Sequence, residues 1–309
     1  MFFRLRRRLK VGRYNRAVRD IVRTPPIEIT PGSGPLVVTQ VCQMDLYMYL
    51  VAIKSFARQV TPSGVCVVND GSLSGGDQEL LKAHVPGIDI VRAADVPNPV
   101  CPAGGCWERL LTIADRVPDG YVLQLDSDTI TTGPLDEIAA AVEQNECFVL
   151  GTELGPEVLS VPQAVEVTRA HTWTERERQH VQVVSELAFE RLSDPESRRY
   201  VRGNAAFTGF VQGSISREDV ERFSGEMTEL VGDKWDSWGS EQVASNYTVA
   251  NAGLTRVLTH PRYSYHGPGR DLGQAAFIHF IGSYRFDNGT YAAMSQKVAE
   301  RLTREAGSA

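Results

Sequence analysis

Two aspartates, Asp126 and Asp128, flank Ser127 directly after the apolar run at residues 121–125. Carboxylates at i and i+2 behind a buried strand are costly unless something positive meets them. A hard divalent cation, Mn²⁺ or Mg²⁺, would take oxygen ligands from both and from a diphosphate. The same triplet also reads as a turn capped by aspartate. Far along the chain stands Phe277-Ile278-His279-Phe280-Ile281-Gly282-Ser283-Tyr284-Arg285-Phe286. A histidine among large apolar residues is commonly a satisfied core residue, but here Gly282 and Arg285 follow at +3 and +6. The glycine would let backbone approach a phosphate, and the arginine would neutralise it.

Elements must bring these residues together. Residues 37–41 and 65–68 are β-branched runs that suit buried strands, and 88–91 and 121–125 suit two more. Helical spacing occupies 46–59, 77–83 and 108–116 between them. Strands alternating with helices predict an α/β fold, a mainly parallel sheet covered on both faces. Such sheets bind ligands beyond the carboxyl ends of their strands, and Asp45, Asp70 and Asp126 all follow strand ends. Residues 153–200 differ, being charged, with a helical pattern over 174–191. They read as a helical insertion over 152–200, either a plain excursion or an acceptor lid. Strand character returns at 207–211, 254–258 and 277–281.

At this point the sequence resembles glycosyltransferase family 8, the glycogenin and lipopolysaccharide galactosyltransferase group, of GT-A fold. Its early Asn-Asp-Ala-Tyr segment resembles Met44-Asp45-Leu46-Tyr47. Its arginine on the helix before the D-x-D strand resembles Arg109, seventeen residues before Asp126. The D-x-D is Asp126 and Asp128, and the Asp-Gln-Asp-x-x-Asn segment resembles Glu241-Gln242-Val243-Ala244-Ser245-Asn246. The closing His-x-x-Gly-x-x-Lys-Pro-Trp segment resembles His279 through Phe286. Departures are Glu241 for Asp, Val243 for the second Asp, Arg285 for Lys, and Asn204-Ala205-Ala206 where the family has Asn-Ser-Gly. The segment Val68-Asn69-Asp70-Gly71-Ser72 is similar instead to inverting family 2 enzymes, whose matching aspartate contacts the nucleotide base.

The resemblance implies a nucleotide-sugar donor, UDP-linked, and a glycan acceptor, and the basic amino terminus points to a lipid-linked or cell-envelope glycan, in polysaccharide biosynthesis. It implies that Asp126, Asp128 and His279 hold the cation and that Arg285 and Gly282 meet the diphosphate. Asp45, Tyr47 and Asp70 would meet the nucleoside, and Asn204 would lie on the donor side. Arg109 would contact the donor sugar or orient the D-x-D, or else form a surface ion pair with Glu108 or Asp115. Glu241 and Gln242 would lie near the anomeric carbon. Retention is the expected outcome, with Gln242 as polar stabiliser. If Glu241 reached the acceptor hydroxyl as general base, the enzyme would invert. Glu241 also reads as the first turn of a helix capped by Ser240. Trp235 and Trp238 would stack on acceptor sugar or fill core.

Two other classes fit less well. A nucleotidyltransferase needs a Gly-rich basic loop after the first strand, where Gln40-Val41-Cys42-Gln43-Met44 stands. A non-catalytic sugar binder would have no need of Asp126, Asp128 and His279 together. The net charge of −6 argues against a nucleic-acid partner. Eight basic residues nevertheless crowd the first twenty, interleaved with Phe2, Phe3, Leu5, Leu9 and Val11. They read as a solvated arm or as an amphipathic helix on an anionic membrane. Residues 1–30 are thus expected to form an arm and linker before a transferase domain at 31–309. Five scattered cysteines argue for a reducing compartment and against a disulfide framework. The expected location is the cytoplasm, peripheral on the inner membrane face.

Overall fold

A computed structural model describes residues 2–282 and 284–307, with side chains from Arg7 onward. The helices are α1 (Phe2–Ala17), α2 (Leu46–Ala57), α3 (Gly75–His84), α4 (Trp107–Arg116), α5 (Asp136–Glu143), α6 (Val161–Ala170), α7 (Glu175–Arg178), α8 (Val181–Ala188), α9 (Arg217–Val231), α10 (Ser240–Ala250) and α11 (Thr290–Ala306). The strands are β1 (Leu36–Val41), β2 (Gly64–Asn69), β3 (Asp89–Arg92), β4 (Val122–Leu125), β5 (Thr129–Thr131), β6 (Cys147–Leu150), β7 (Leu159–Ser160), β8 (Arg199–Tyr200), β9 (Asn204–Phe210), β10 (Thr255–Leu258), β11 (Tyr263–Tyr265) and β12 (Phe277–His279). The expected α/β class is observed: strands in mixed, mainly parallel pairing, accompanied by helices. The chain divides into two compact units. The first comprises Met1–Arg92, Leu125–Asp136 and Pro261–Ala309; the second comprises Ala93–Gln124 and Glu137–His260.

In the first unit, β1, β2 and β3 lie side by side and parallel. Their β-branched runs fit a doubly covered sheet. Helix α2 is buried almost throughout, from Leu46 to Phe56, as expected of a helix apolar on nearly every face. Helix α3 opens on a capping box in which Ser74 and Asp77 satisfy each other's backbone N–H. A small second sheet, ordered β11-β12-β5, pairs β12 antiparallel to β5. Strand β5 carries no separate signal in the sequence, and β12 stops at His279, short of the expected end at residue 281.

The basic amino terminus is helical. Helix α1 buries Val11 and Tyr14 and, just beyond its end, Val18, while Arg7, Arg8, Lys10, Arg13 and Arg16 face solvent. The Tyr14 ring stacks on Tyr291 at 4.5 Å, and its hydroxyl lies 2.8 Å from Ser295 Oγ, fixing α1 to α11. The side chains of Phe2, Phe3, Arg4, Leu5 and Arg6 lie outside the described residues. Among the described residues, no helix is long and apolar enough to cross a membrane.

In the second unit the strand order is β10-β6-β9-β4, with β10 parallel and β9 antiparallel to β6. Close approach explains Gly203 just before β9. A Cβ there would lie 2.6 Å from Val149 and 3.0 Å from the Leu150 carbonyl oxygen. The helical pattern at 174–191 breaks into α7 and α8, because two caps compete within it. Thr174 and Glu177 form a capping box at one start, and His180 accepts the Gln182 N–H at the other. All five cysteines are free.

Candidate functional site

The site in the first unit is a product of strand register. Asp126 follows the last residue of β4 and Asp128 precedes the first of β5, so the D-x-D occupies a tight link. Thr129 Oγ1 donates to the Asp126 carbonyl at 2.9 Å. Because β12 pairs with β5, His279 stands opposite Thr129, and the Phe280 N–H donates to the Asp128 carbonyl at 2.8 Å. A residue some 150 positions away thus arrives beside the D-x-D. His279 Nε2 lies 3.3 Å from Asp128 Oδ1 and 4.0 Å from Asp126 Oδ2. The ligand-capable atoms of the three residues all lie within 4.8 Å of one another. Asp128 and His279 are buried, whereas the Asp126 side chain keeps 25% of its surface exposed.

Arg285 joins this cluster. Its Nη2 bonds Asp128 Oδ2, its Nη1 lies 3.7 Å from Asp45 Oδ1, and its Nε donates to the Phe280 carbonyl at 3.2 Å. Burial opposes ionisation of Asp128, yet Arg285 and His279 outweigh it and hold the carboxyl well below the usual range. Burial dominates at Asp45 and raises its pKa, only partly offset by Arg285. Arg285 is held above its ordinary value: burial works against the cation, and Asp128 and Asp45 prevail. The donor set of two carboxylates and one imidazole suits Mn²⁺ or Mg²⁺. His279 Nδ1 is buried and makes no hydrogen bond among the described residues, so the polar contact that orients the ring is the one from Nε2 to Asp128.

The remaining residues of this unit that were expected on the donor side are less gathered. Tyr47 is half-buried in the first turn of α2. Asp70 is exposed and accepts from the Ser72 N–H at 2.9 Å and the Ser72 hydroxyl at 2.6 Å. Ser72 Oγ in turn accepts the Gln43 N–H at 2.8 Å, tying the loops after β1 and β2 together. Gly282 is exposed, with open space where a side chain would stand. Sequence reasoning missed Met48, whose sulfur lies 3.9 Å from Arg285 Nη1, and Arg7, whose charge favours ionised Asp45. The basic pattern of the amino terminus was the available signal for Arg7.

In the second unit, Arg109 and Glu241 form a buried ion pair, with Nη2 3.2 and 3.3 Å from the two carboxylate oxygens. Each side chain is 5% exposed. The alternative of a surface pair for Arg109 is corrected: Glu108 instead accepts the Gly104 N–H, and Asp115 pairs with Arg217. Ser240 is not the cap of α10. Gly239, at φ +102°, precedes the helix, while Ser240 Oγ accepts from the Trp107 indole at 3.0 Å. Gln242 Nε2 donates to Gln182 Oε1 at 3.4 Å, a partner in α8 that no motif announced. Asn204 Oδ1 accepts the Ala206 N–H of its own strand at 2.9 Å. Trp235 is core, its ring edge-on to Trp107 at 5.7 Å, whereas Trp238 is 78% exposed.

The chain matches no known family model and no curated protein. It is similar to solved structures at low identity. The apo bifunctional glycosyltransferase WbbM aligns with 90% of this chain and 53% of its own, at 14% identity and a TM-score of 0.48. An active-site mutant of LgtC aligns with 86% of this chain and 95% of its own, at 13% identity and 0.46. The apo glycosyltransferase GlyE of Streptococcus pneumoniae aligns with 89% of this chain and 64% of its own, at 12% identity and 0.48. The chain therefore spans about half the length of WbbM and less than two thirds of GlyE.

Proposed function

We propose that this protein is a metal-dependent glycosyltransferase that takes a UDP-sugar as donor and a glycan or lipid-linked acceptor. The observation that carries the reading is the cluster of Asp126, Asp128 and His279, with ligand atoms within 4.8 Å and Arg285 bonded to Asp128. These three residues are the ligands proposed for Mn²⁺ or Mg²⁺. The bound cation supplies positive charge where a departing nucleoside diphosphate gathers negative charge. Arg285 adds a second, fixed cation beside it, and its bond to Asp128 keeps the guanidinium oriented in a buried setting. Asp45, Tyr47 and Asp70 are assigned to the nucleoside, and Gly282 leaves room for the diphosphate. Calorimetry with UDP tests this directly. UDP should bind in the presence of Mn²⁺ and lose most of its affinity in excess chelator. Equal affinity in both conditions would overturn the metal assignment.

Glu241 and Gln242 are assigned to the anomeric centre, and Arg109 and Asn204 to the donor. The buried pair with Arg109 favours retention over inversion. A carboxylate already committed to a guanidinium is a poor proton acceptor for an acceptor hydroxyl, which leaves Gln242 as the polar group free to assist.

Association with an anionic membrane through α1 completes the reading and places the enzyme at the cytoplasmic membrane face. Its support is the four exposed arginines Arg7, Arg8, Arg13 and Arg16 with Leu9, 57% exposed, on a helix fixed by Tyr14. Charge-reversing Arg8, Arg13 and Arg16 should release the protein from phosphatidylglycerol vesicles, and salt should mimic the change. Binding indifferent to both would refute it.

A further inference from the structure

Tryptophans sit close together at the start of α10, and the fold treats two of them in opposite ways. Trp235 is fully buried, donates its indole N–H to Ser224 Oγ at 2.9 Å and packs edge-on against Phe223 at 5.9 Å. Trp238, three residues on, is the most exposed of the large apolar side chains described. Exposure of a single apolar residue needs no explanation by itself. The backbone that carries this one is unusually fixed, however. The Ser237 N–H donates to Lys234 and the Ser240 N–H to Ser237, both at 3.2 Å, and the Val243 N–H to Gly239 at 3.3 Å. Ser240 is held from the side by the Trp107 indole. Gly239 takes a left-handed conformation, and a Cβ there would lie 3.2 Å from His180 and 3.3 Å from Val181. The turn therefore holds the Trp238 backbone in place while its indole stands in solvent. A rigid mount displaying a bare aromatic ring is a means of binding something flat and partly apolar.

The surroundings decide what. From residue 232 to residue 243 no other apolar side chain is exposed, and Asp233 and Asp236 are exposed. A protein partner would call for a contiguous apolar patch, which this stretch does not offer. A pyranose has an apolar C–H face bordered by hydroxyls, and one indole set among amides and carboxylates is its complement. Hydrogen-bonding amides stand close along the chain: Gln242, four residues after Trp238, is bonded to Gln182. We propose that Trp238 is the stacking platform for the acceptor sugar. This rests on the transferase reading above, and it adds a specificity residue to it: the acceptor presents a pyranose with an unobstructed C–H face, and Trp238 governs its affinity without touching the donor.

The test uses full-length protein labelled with 5-fluorotryptophan, the Trp238 signal being assigned with Trp238→Phe. Methyl glycosides of glucose, galactose, mannose and N-acetylglucosamine are titrated in the absence of donor. At least one should shift the Trp238 ¹⁹F signal saturably while the signals of buried Trp107 and Trp235 stay in place. If none moves it, or if shifts grow without saturating, the platform is excluded. UDP binding with Mn²⁺ is measured on the same samples, so loss of the transferase reading would show separately as absent UDP binding. Trp238→Ala should leave UDP affinity unchanged and weaken the responding glycoside roughly five- to tenfold. A fall in UDP affinity in that variant would place Trp238 on the donor side and overturn the assignment.

Discussion

Buried charge is arranged in opposite ways in the two units. In the second unit acids and bases are matched. Glu241 meets Arg109, and Glu186, fully buried, meets Arg202, the Thr168 hydroxyl at 2.8 Å and the Tyr200 hydroxyl at 3.0 Å. In the first unit Asp128 and Asp45 both lean on Arg285, and Asp126 stands beside them a quarter exposed. A matched pair with its lone pairs filled is a structural solution to burial. Two carboxylates that share one guanidinium beside an imidazole make a small volume that suits added positive charge. The contrast teaches that burial of ionisable residues does not by itself mark a working centre. The sharing of Arg285 by Asp128 and Asp45, with His279 beside them, is what supports the proposed centre.

The largest effect expected from that contrast lies at Asp128. Asp128→Ala should remove most transfer activity, several kcal/mol of transition-state stabilisation, on the scale of about 3–4 kcal/mol for a single lost electrostatic group. It should also abolish the dependence of UDP binding on Mn²⁺. Near-normal turnover, read by product formation from UDP-sugar, would break the assignment of the imbalanced cluster as the working one.

The matched pair should answer differently. Glu241→Ala takes a carboxylate partner from buried Arg109, a loss of about 3–5 kcal/mol in stability. The double variant Arg109→Met with Glu241→Leu should recover most of it, as measured by urea unfolding. Stereochemistry sharpens the same point. If Glu241 is structural, NMR of the first product from an α-linked donor should show an α anomer. Glu241→Gln, which can still accept a hydrogen bond from Arg109, should then lower kcat only modestly. A β product with a loss of roughly 10²–10⁴ in rate on Glu241→Gln would make it a general base instead.

Much of the first unit was legible because the signals were local. β-Branched runs mark β1 and β2, and an apolar helix marks α2. The D-x-D could be placed at a strand end because the strand before it is continuous and apolar. His279 could be suspected from its neighbours, but its arrival at Asp128 depends on antiparallel pairing with β5, a three-residue strand with no periodicity to read. In the second unit the misreadings have two causes. The partners of Arg109 and Ser240 lie more than 130 residues away in sequence, so nearby Glu108 and Asp115 looked adequate. The split of 174–191 into two helices turns on a histidine acting as a cap, which composition does not announce. Trp235 and Trp238 share a residue type, and only packing separates them.

Lys54 stands outside both patterns, a cation with neither a matched acid nor a surplus of acids. It lies in the buried face of α2, 1% exposed, and donates its ammonium to the Pro25 carbonyl. Burial pulls its pKa down from 10.5 to about 8. The unfolded chain therefore keeps this proton to higher pH than the folded protein does. Between pH 8 and 10.5 the unfolded state binds more protons, so stability rises with pH across that window. Below pH 8 the full cost of the buried cation is present. Lys54→Met keeps the length of the side chain and removes the charge, and the exposed Pro25 carbonyl can bond water instead. The substitution should stabilise the protein at pH 7 on the order of 1–3 kcal/mol, the range seen when buried charge gives way to apolar volume. The advantage over the parent should shrink at pH 10, because the parent has by then shed most of the charge. Comparing the two proteins at each pH by urea unfolding cancels the tyrosines and cysteines that titrate in the same window. A difference in stability that stays constant from pH 7 to pH 10 would mean that Lys54 reaches water freely. Among the described residues of the first unit, Arg285 would then be the buried cation that acids share, and the contrast with the paired charges of the second unit would be sharper still.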